Sequence, residues 1–508
     1  MMTETKHGPF DLTGITRGPD GVARYDRLPA SLVAAVRAAV QAHPEVEAVV
    51  EVDGPRLTYA QLWERASEVA GGLRERGIAP GDRTAILLPA GADWVCAFLG
   101  SVLAGAIVVP VNTRFADPEV EYVLTDCGAA YVFREGEPLP SGPPTVHDEA
   151  VHADPAAIFY TSGTTGFPKG AITTHENFLS NVETAIRVLE LDRAAGPSLR
   201  NLISVPLFHV TGCNTQLLVQ LSLGGTTVIL PAFETATFLA AIAEERINIL
   251  VTVPAIYRLA IAHADFAALD TGGVLRAAYG GAPIAPALVA RIKEAFPSAK
   301  VGNGFGLTEV ASIATYLPHE WSTEHADSVG FAVPVVDLAV ADPDPRTGVG
   351  ELLIRGPNRV PGYWNKPEAT AEAIVDGWLH TGDLARIDGE GLVHVVDRAK
   401  DMINRGGENV YCVEVENALA GAPHVAEAAV VGVPDDVLGE KVGAVVVPSS
   451  DAFDVAAMLD YLEQRLADFK VPQYVAVHQV PLPRNPGGKV LKKALRDQTA
   501  WGAPVRGR

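Results

Sequence analysis

Cysteine is scarce in this chain. Cys96, Cys127, Cys213 and Cys412 are the only four in 508 residues, and none forms a C-x-x-C pair. That spacing excludes a disulfide scaffold and the common zinc knuckles, and the four read as reduced thiols of a cytosolic protein. Positive charge is also short: 40 Lys and Arg against 61 Asp and Glu leave a formal charge of -21. Such an acidic surface repels the phosphate backbone of nucleic acid, although a small anion can still bind where local cations and oriented amides outweigh the global field. Long apolar runs are missing too. The stretch 85–111 comes nearest, but Pro89, Asp93 and Pro110 interrupt it. It resolves into a strand over 84–88 and a helix over 92–104, and no membrane span is expected. The N-terminus is mostly polar through Gly8 and shows no signal-peptide pattern, so a soluble, cytoplasmic protein is expected. There is no repeat of fixed period and no Walker A loop of the form G-x-x-x-x-G-K-[ST].

What is present fits a large layered protein. With 508 residues, 48% of them apolar, the chain exceeds one core and should form two or more domains. From about residue 30 to 400, apolar runs such as 106–109, 226–230 and 249–253 alternate with helical patterns such as 238–245. This alternation predicts α/β layering with largely parallel sheets. Near residue 398 the texture changes to a helix over 413–419, strands over 428–433 and 442–447, and a helix over 455–466 with Asp454 as N-cap. A small α+β domain over 399–508, joined to an N-terminal domain over 1–398 through the charged segment 397–401, is therefore expected.

Residues 160–170 read Tyr-Thr-Ser-Gly-Thr-Thr-Gly-Phe-Pro-Lys-Gly. Thr161, Ser162, Gly163, Thr164, Thr165 and Gly166 offer many donors with little bulk, and glycine lets successive amides turn toward one anion. Lys169 adds a compact positive charge, and the apolar run 156–160 leads in as a buried strand. Alone, this loop could equally be a flexible surface turn. A second glycine segment, 303–309, sets Asn303, Gly304 and the Phe305 ring beside the Thr308 hydroxyl and the Glu309 carboxylate. Asp383 follows a glycine turn, and Asp397-Arg398 follows fourteen residues later; alone, these read as a surface aspartate and a surface salt bridge. Two further glycine runs contain Gly406 with Gly407, and Lys489. A basic helix over 491–496 comes next, in which Lys492 and Lys493 read as a solvated face.

In this order, across nearly the full length, the motifs resemble those of the adenylate-forming enzymes: acyl-CoA synthetases, amino-acid-activating domains and luciferases. They look most like the acyl- and aryl-CoA ligases. The resemblance implies an α/β fold with a large N-terminal domain of layered sheets and helices, holding the ATP and acyl sites, and a small mobile α+β C-terminal domain. It implies activation of a carboxylic acid by MgATP to acyl-AMP with release of pyrophosphate, then transfer of the acyl group to coenzyme A. By the same resemblance, Thr161, Ser162, Gly163, Thr164, Thr165, Gly166 and Lys169 hold ATP phosphates. Asn303 and Gly304 line the nucleotide and Phe305 stacks on adenine, where many relatives carry tyrosine. Thr308 meets the α-phosphate, Glu309 holds Mg²⁺, and Asp383 and Arg398 address the ribose. Lys489 bridges the carboxylate and the α-phosphate, making Lys489, Thr308 and Glu309 the catalytic set. His209, Gly280, Gly281 and Ala282 line the acyl pocket, Lys400 is the hinge, and Gly406 and Gly407 form the CoA face.

Amino-acid-activating relatives place an aspartate against the substrate ammonium. Here 205–212 contains no acid, and an unpaired buried ammonium is costly. An aromatic or medium-chain monocarboxylic acid is the expected substrate. A homodimer, and a carrier protein in place of CoA, are compatible with the sequence. Two other readings stand beside the ligase: a stand-alone enzyme loading a carrier's phosphopantetheine, and an inactive nucleotide- or acyl-binding relative. The joint presence of Lys169, Glu309, Asp383 and Lys489 speaks against the latter.

Overall fold

The computed structural model describes residues 6–161, 168–282, 284–406, 408–484 and 490–506. The chain forms two compact units: Met1–Ala339 with Leu353–His380 and Asp388–Val393, and Val340–Leu352 with Thr381–Ile387 and His394–Arg508.

In the first unit, six parallel strands form the centre of a nine-stranded sheet. In spatial order they are Glu47–Glu51, Thr226–Ile229, Arg200–Ile203, Ile249–Thr252, Arg276–Gly280 and Lys300–Phe305. Antiparallel strands edge it, Arg56–Thr58 on one side, Thr315–Leu317 and Phe331–Ala332 on the other. Ile249 to Thr252 are all buried, as expected of a parallel strand covered on both faces. One face packs Leu202, Val228, Leu250, Ala277 and Val301 against Phe238, Tyr257 and Ile292 of three helices: Thr235–Glu244, Pro254–Ala262 and Pro286–Ala295.

A second sheet orders Ala129–Arg134, Arg83–Leu87, Ile107–Pro110, Pro155–Thr161 and Lys169–Thr174. Its first four strands are parallel, and the last two form an antiparallel hairpin with Thr161 opposite Lys169. The apolar stretch 85–111 becomes buried strand and helix as expected, with helix Ala92–Leu103 nearly all interior. Among the described residues no helix is long and apolar enough to cross a membrane.

Strand Lys169–Thr174 runs straight into helix His175–Val188 through a capping box. Thr174 Oγ1 accepts the Asn177 N–H at 3.2 Å while Asn177 Oδ1 accepts the Thr174 N–H at 2.9 Å. His175, the first helical residue, is 4% exposed and its Nδ1 accepts the Leu32 N–H at 3.2 Å. Burial pulls its pKa from 6.5 down to about 4, with Asp154 opposing. The native ring is therefore neutral, whereas the unfolded ring takes up a proton near 6.5. Stability from this site is full above that value and is lost as pH falls toward 4, by about 3 kcal/mol at most. Urea midpoints of the native protein should fall over this window more steeply than those of His175→Gln. Parallel curves would assign the pH dependence to other groups.

The second unit carries a sheet ordered Glu408–Val410, Ile403–Arg405, Gly439–Pro448 and Val425–Asp435, with Tyr474–Val477 also paired to Gly439–Pro448. Alternation sorts its two faces. Val430, Val442, Ala444 and Val446 pack on helices Cys412–Ala420 and Val455–Glu463, while Ala429, Val431 and Val445 meet Leu495 of helix Lys492–Gln498. Asp454 caps its helix by accepting from the Ala456 and Ala457 N–H groups; that helix ends at Glu463, short of the expected 466. One expectation fails. Lys493 is exposed, but Lys492 is largely buried and its Nζ pairs with Glu416 Oε1 at 2.8 Å. A carboxylate 76 positions earlier draws the first lysine inward, and local charge pattern cannot reveal that.

Candidate active site

Four neighbouring parallel strands of the large sheet, 200–203, 249–252, 276–280 and 300–305, point their carboxyl ends to one rim, the usual ligand side of an open α/β sheet. The loop with His209 follows the first of these strands, Gly281 and Ala282 follow the third, and the turn 306–312 follows the fourth. Gly280 lies in register with Gly304, and a Cβ on it would stand 2.3 Å from the Gly304 carbonyl oxygen. At Gly306 the chain doubles back so tightly that a Cβ would reach 1.4 Å from Ser312 O. Glycine is required at both positions.

Ala311 and Ser312 close this turn at φ 52° and 131°, conformations side chains resist. Buried partners hold them there. Asn214 Nδ2 donates to Ala311 O at 2.9 Å, Thr215 Oγ1 donates to Ser312 Oγ at 2.7 Å, and the Ile313 N–H donates to Asn181 Oδ1 at 3.2 Å. Asn214 and Thr215 lie on the π-helical segment Thr211–Leu217 just after His209, a form concentrated at functional sites. Three hydrogen bonds at about 1 kcal/mol each can offset strain of about 1–3 kcal/mol per residue. The turn bearing Thr308 and Glu309 is thus fixed from the interior.

Segment 360–366 joins that turn to the phosphate-loop hairpin. The Val360 N–H donates to Glu309 O at 2.9 Å, and the Trp364 N–H donates to Gly170 O at 2.7 Å. Tyr363 donates its hydroxyl to Glu309 Oε1 at 2.8 Å, and Lys169 Nζ lies 5.2 Å from the centre of the same ring. Burial, and then the Glu309 charge, push the Tyr363 phenol well above its usual pKa, so it remains a donor. At the base of the hairpin, Tyr160 donates to Asp126 Oδ2 at 2.8 Å and Lys366 Nζ pairs with Asp126 Oδ1 at 2.8 Å.

Of the residues singled out in the sequence, Ser162, Gly163, Thr164, Thr165, Gly166, Gly407 and Lys489 lie outside the described residues. Thr161 Oγ1 donates to Lys169 O at 3.4 Å. Phe305, Thr308 and Glu309 are half-buried, whereas Asn303 is buried and its amide donates to Ser328 O at 3.3 Å. His209 is exposed, and its Nδ1 lies 3.3 Å from the Thr211 N–H and 3.2 Å from Thr211 Oγ1.

In the second unit, Asp383 and Arg398 meet each other, Arg398 Nε standing 2.6 Å from Asp383 Oδ1. The aspartate side chain is only 4% exposed, so this is not a surface pair. Gly382 sits at φ 69°, and its carbonyl accepts the Ala399 N–H at 2.9 Å. Buried Asp397 accepts the Cys412 N–H, and Lys400 follows in a turn where the Asp401 N–H reaches Arg398 O at 3.0 Å. Gly406 is at φ 61°, its N–H donating to Leu438 O at 2.8 Å.

Sequence reasoning passed over Tyr363, Asn181, Asn214 and Thr215. The first had a signal, two adjacent aromatics bracketed by Gly362 and Pro367. The others look like ordinary polar positions of helices.

Among the described residues no three His, Cys, Asp or Glu gather into a metal cage. Mg²⁺ suits a different donor set, one carboxylate completed by substrate phosphates. Glu309, half-buried beside turns too tight for a Cβ, fits that chemistry.

Fold and site together define a two-unit α/β enzyme of the adenylate-forming class. The AMP-binding enzyme family model matches residues 36–151 and 134–364, and the AMP-binding enzyme C-terminal domain matches 414–489. The chain belongs to this family of AMP-binding enzymes. It is 37% identical to a feruloyl-CoA synthase of Amycolatopsis over 87% of this chain and 94% of that one. It is 36% identical to the long-chain-fatty-acid–CoA ligase FadD13 of Mycobacterium tuberculosis, over 91% and 97% of the two chains. The solved o-succinylbenzoate CoA synthetase of Bacillus subtilis, in complex with its acyl-adenylate intermediate, superposes with a TM-score of 0.84 at 27% identity, covering 92% of this chain and 99% of that one.

Proposed function

We propose that this protein is an ATP-dependent carboxylic acid–CoA ligase acting on an aromatic or medium-chain monocarboxylic acid. The main support is the meeting of Glu309, Tyr363 and Lys169 beside the phosphate-loop hairpin, in a chain whose relatives are named as CoA ligases. A carboxylate oxygen attacks the α-phosphorus of ATP, the bond to the bridging oxygen breaks, and pyrophosphate leaves. The CoA thiol then attacks the acyl carbon and displaces AMP. Lys169 and the hydroxyl-rich loop hold the departing phosphates, Thr308 meets the α-phosphate, and Glu309 holds Mg²⁺, which when bound neutralises phosphate charge. Phe305 stacks on adenine, while Asp383 and Arg398 take the ribose as a pair. His209 and Gly280 to Ala282 line the acyl site at the strand ends, where a mostly uncharged wall suits a ring or chain better than an ammonium.

The functional division falls at 398/399, with Lys489 and the Gly406–Gly407 face on the C-terminal side and Lys400 as hinge. Four buried free cysteines suit the reducing cytoplasm, where we place the reaction.

A pyrophosphate-release assay over a panel of carboxylic acids, with and without CoA, tests this. Release is expected with aromatic or medium-chain acids, and thioester only when CoA is added. Thioester on a holo-carrier protein but not on CoA would instead favour the carrier-loading reading. No release with any acid would leave the ligase reading without support.

A further inference from the structure

Lys169 and Glu309 carry opposite charges on two elements joined by one short segment, yet among the described residues no ion pair links them. A single tyrosine occupies both. The Lys169 ammonium faces its ring at 5.2 Å, within the range of a cation–π contact, and its hydroxyl takes Glu309 Oε1 at 2.8 Å. We infer that Tyr363 is a positioning residue that keeps the lysine and the carboxylate apart and directs Glu309 toward a phosphate-borne cation; this rests on the ligase reading above.

The tyrosine is well placed for this. Its N–H donates to Thr370 Oγ1 at 2.9 Å, and its backbone bridges Ala171 on the strand leaving the phosphate loop. Its neighbours complete the tie, with the Ile172 N–H donating to Gly362 O at 3.0 Å and the Trp364 N–H to Gly170 O at 2.7 Å. These bonds tie the backbone that carries the Tyr363 ring to the hairpin that carries Lys169. A phenol held protonated by burial and by the carboxylate can only donate to Glu309, so one carboxylate oxygen is committed and the other serves the cation. Without this spacer, Lys169 and Glu309 would satisfy each other, and MgATP would have to break that pair in order to bind.

Tyr363→Phe keeps the ring and deletes only the hydroxyl. ATP binding to the full-length protein, measured by calorimetry without acid, should weaken about tenfold in excess Mg²⁺ and stay unchanged in EDTA, with an unaltered melting temperature. Combining it with Glu309→Gln should give no further loss, because the hydroxyl acts through that carboxylate. Native-like MgATP binding by Tyr363→Phe, equal weakening with and without Mg²⁺, or additive effects in the double variant would each overturn the inference. Failure of the native protein to bind MgATP would instead strike the ligase reading on which it rests.

Discussion

Lys489→Ala is expected to slow acyl-adenylate formation by on the order of 10²–10³-fold, while supplied acyl-adenylate is still converted to thioester at near the native rate. Attack on the α-phosphorus joins two anions, and negative charge concentrates on the carboxylate and phosphate oxygens as the bond forms. A compact ammonium between them stabilises that charge more than it stabilises the separated substrates. The assignment comes from the resemblance of the glycine-flanked Lys489 to the catalytic lysine of the adenylate-forming enzymes. The structure adds a firm base just beyond it. Lys492, at the start of the next helix, is pinned to Glu416, whose Oε1 also accepts the Val430 N–H at 2.8 Å. Exchange of labelled pyrophosphate into ATP is the measurement. Near-native exchange by Lys489→Ala would remove this lysine from the adenylation step.

Lys400→Pro should give the opposite pattern, with acyl-adenylate formed within a few-fold of native and thioester formation lost by on the order of 10²-fold or more. The junction is a tight turn, in which the Asp401 and Met402 N–H groups both reach Arg398 O at 3.0 and 3.1 Å and the Ala399 N–H reaches Gly382 O at 2.9 Å. Proline fixes φ near -65° and restricts the residue before it as well, so two consecutive positions lose rotational freedom. If the two half-reactions need two settings of this residue, only one survives. Rapid-quench analysis of both steps in single turnovers separates them, and equal losses would count against a hinge at Lys400.

Much of the architecture was legible because it is written in local periods. The run 249–252 is buried at every position, as in a parallel strand covered on both faces, and successive residues 429–431 of Val425–Asp435 turn to two faces that meet different helices. Asp454 was readable as an N-cap because its oxygens need only reach two or three residues ahead. Side chains that meet across the fold were not readable. Lys492 reads with Lys493 as a solvated face until the fold places Glu416 beside it. Asp383 and Arg398 each looked like a separate ribose contact, and the fold brings them together as one pair with a buried aspartate and a partly exposed arginine. Asn214 and Thr215 gave no signal, since their value lies in bonding Ala311 and Ser312 almost a hundred positions away.

The sequence by itself determined the chemistry available to this protein: a hydroxyl- and glycine-rich loop with Lys169, a carboxylate in a glycine turn at Glu309, a lysine on a late glycine loop, and the family to which that order of motifs belongs. Short-range spacing carries the loop chemistry because turn geometry and amide donors depend on neighbouring residues, and the order of the motifs carries the family resemblance. Only the tertiary structure decided that Tyr363 stands with Glu309, 54 positions away, and with Lys169 on the other sheet. Contacts of that kind arise from how sheets and helices pack, and the hydrogen bonds that hold them exist only once distant segments have been brought out of water into register.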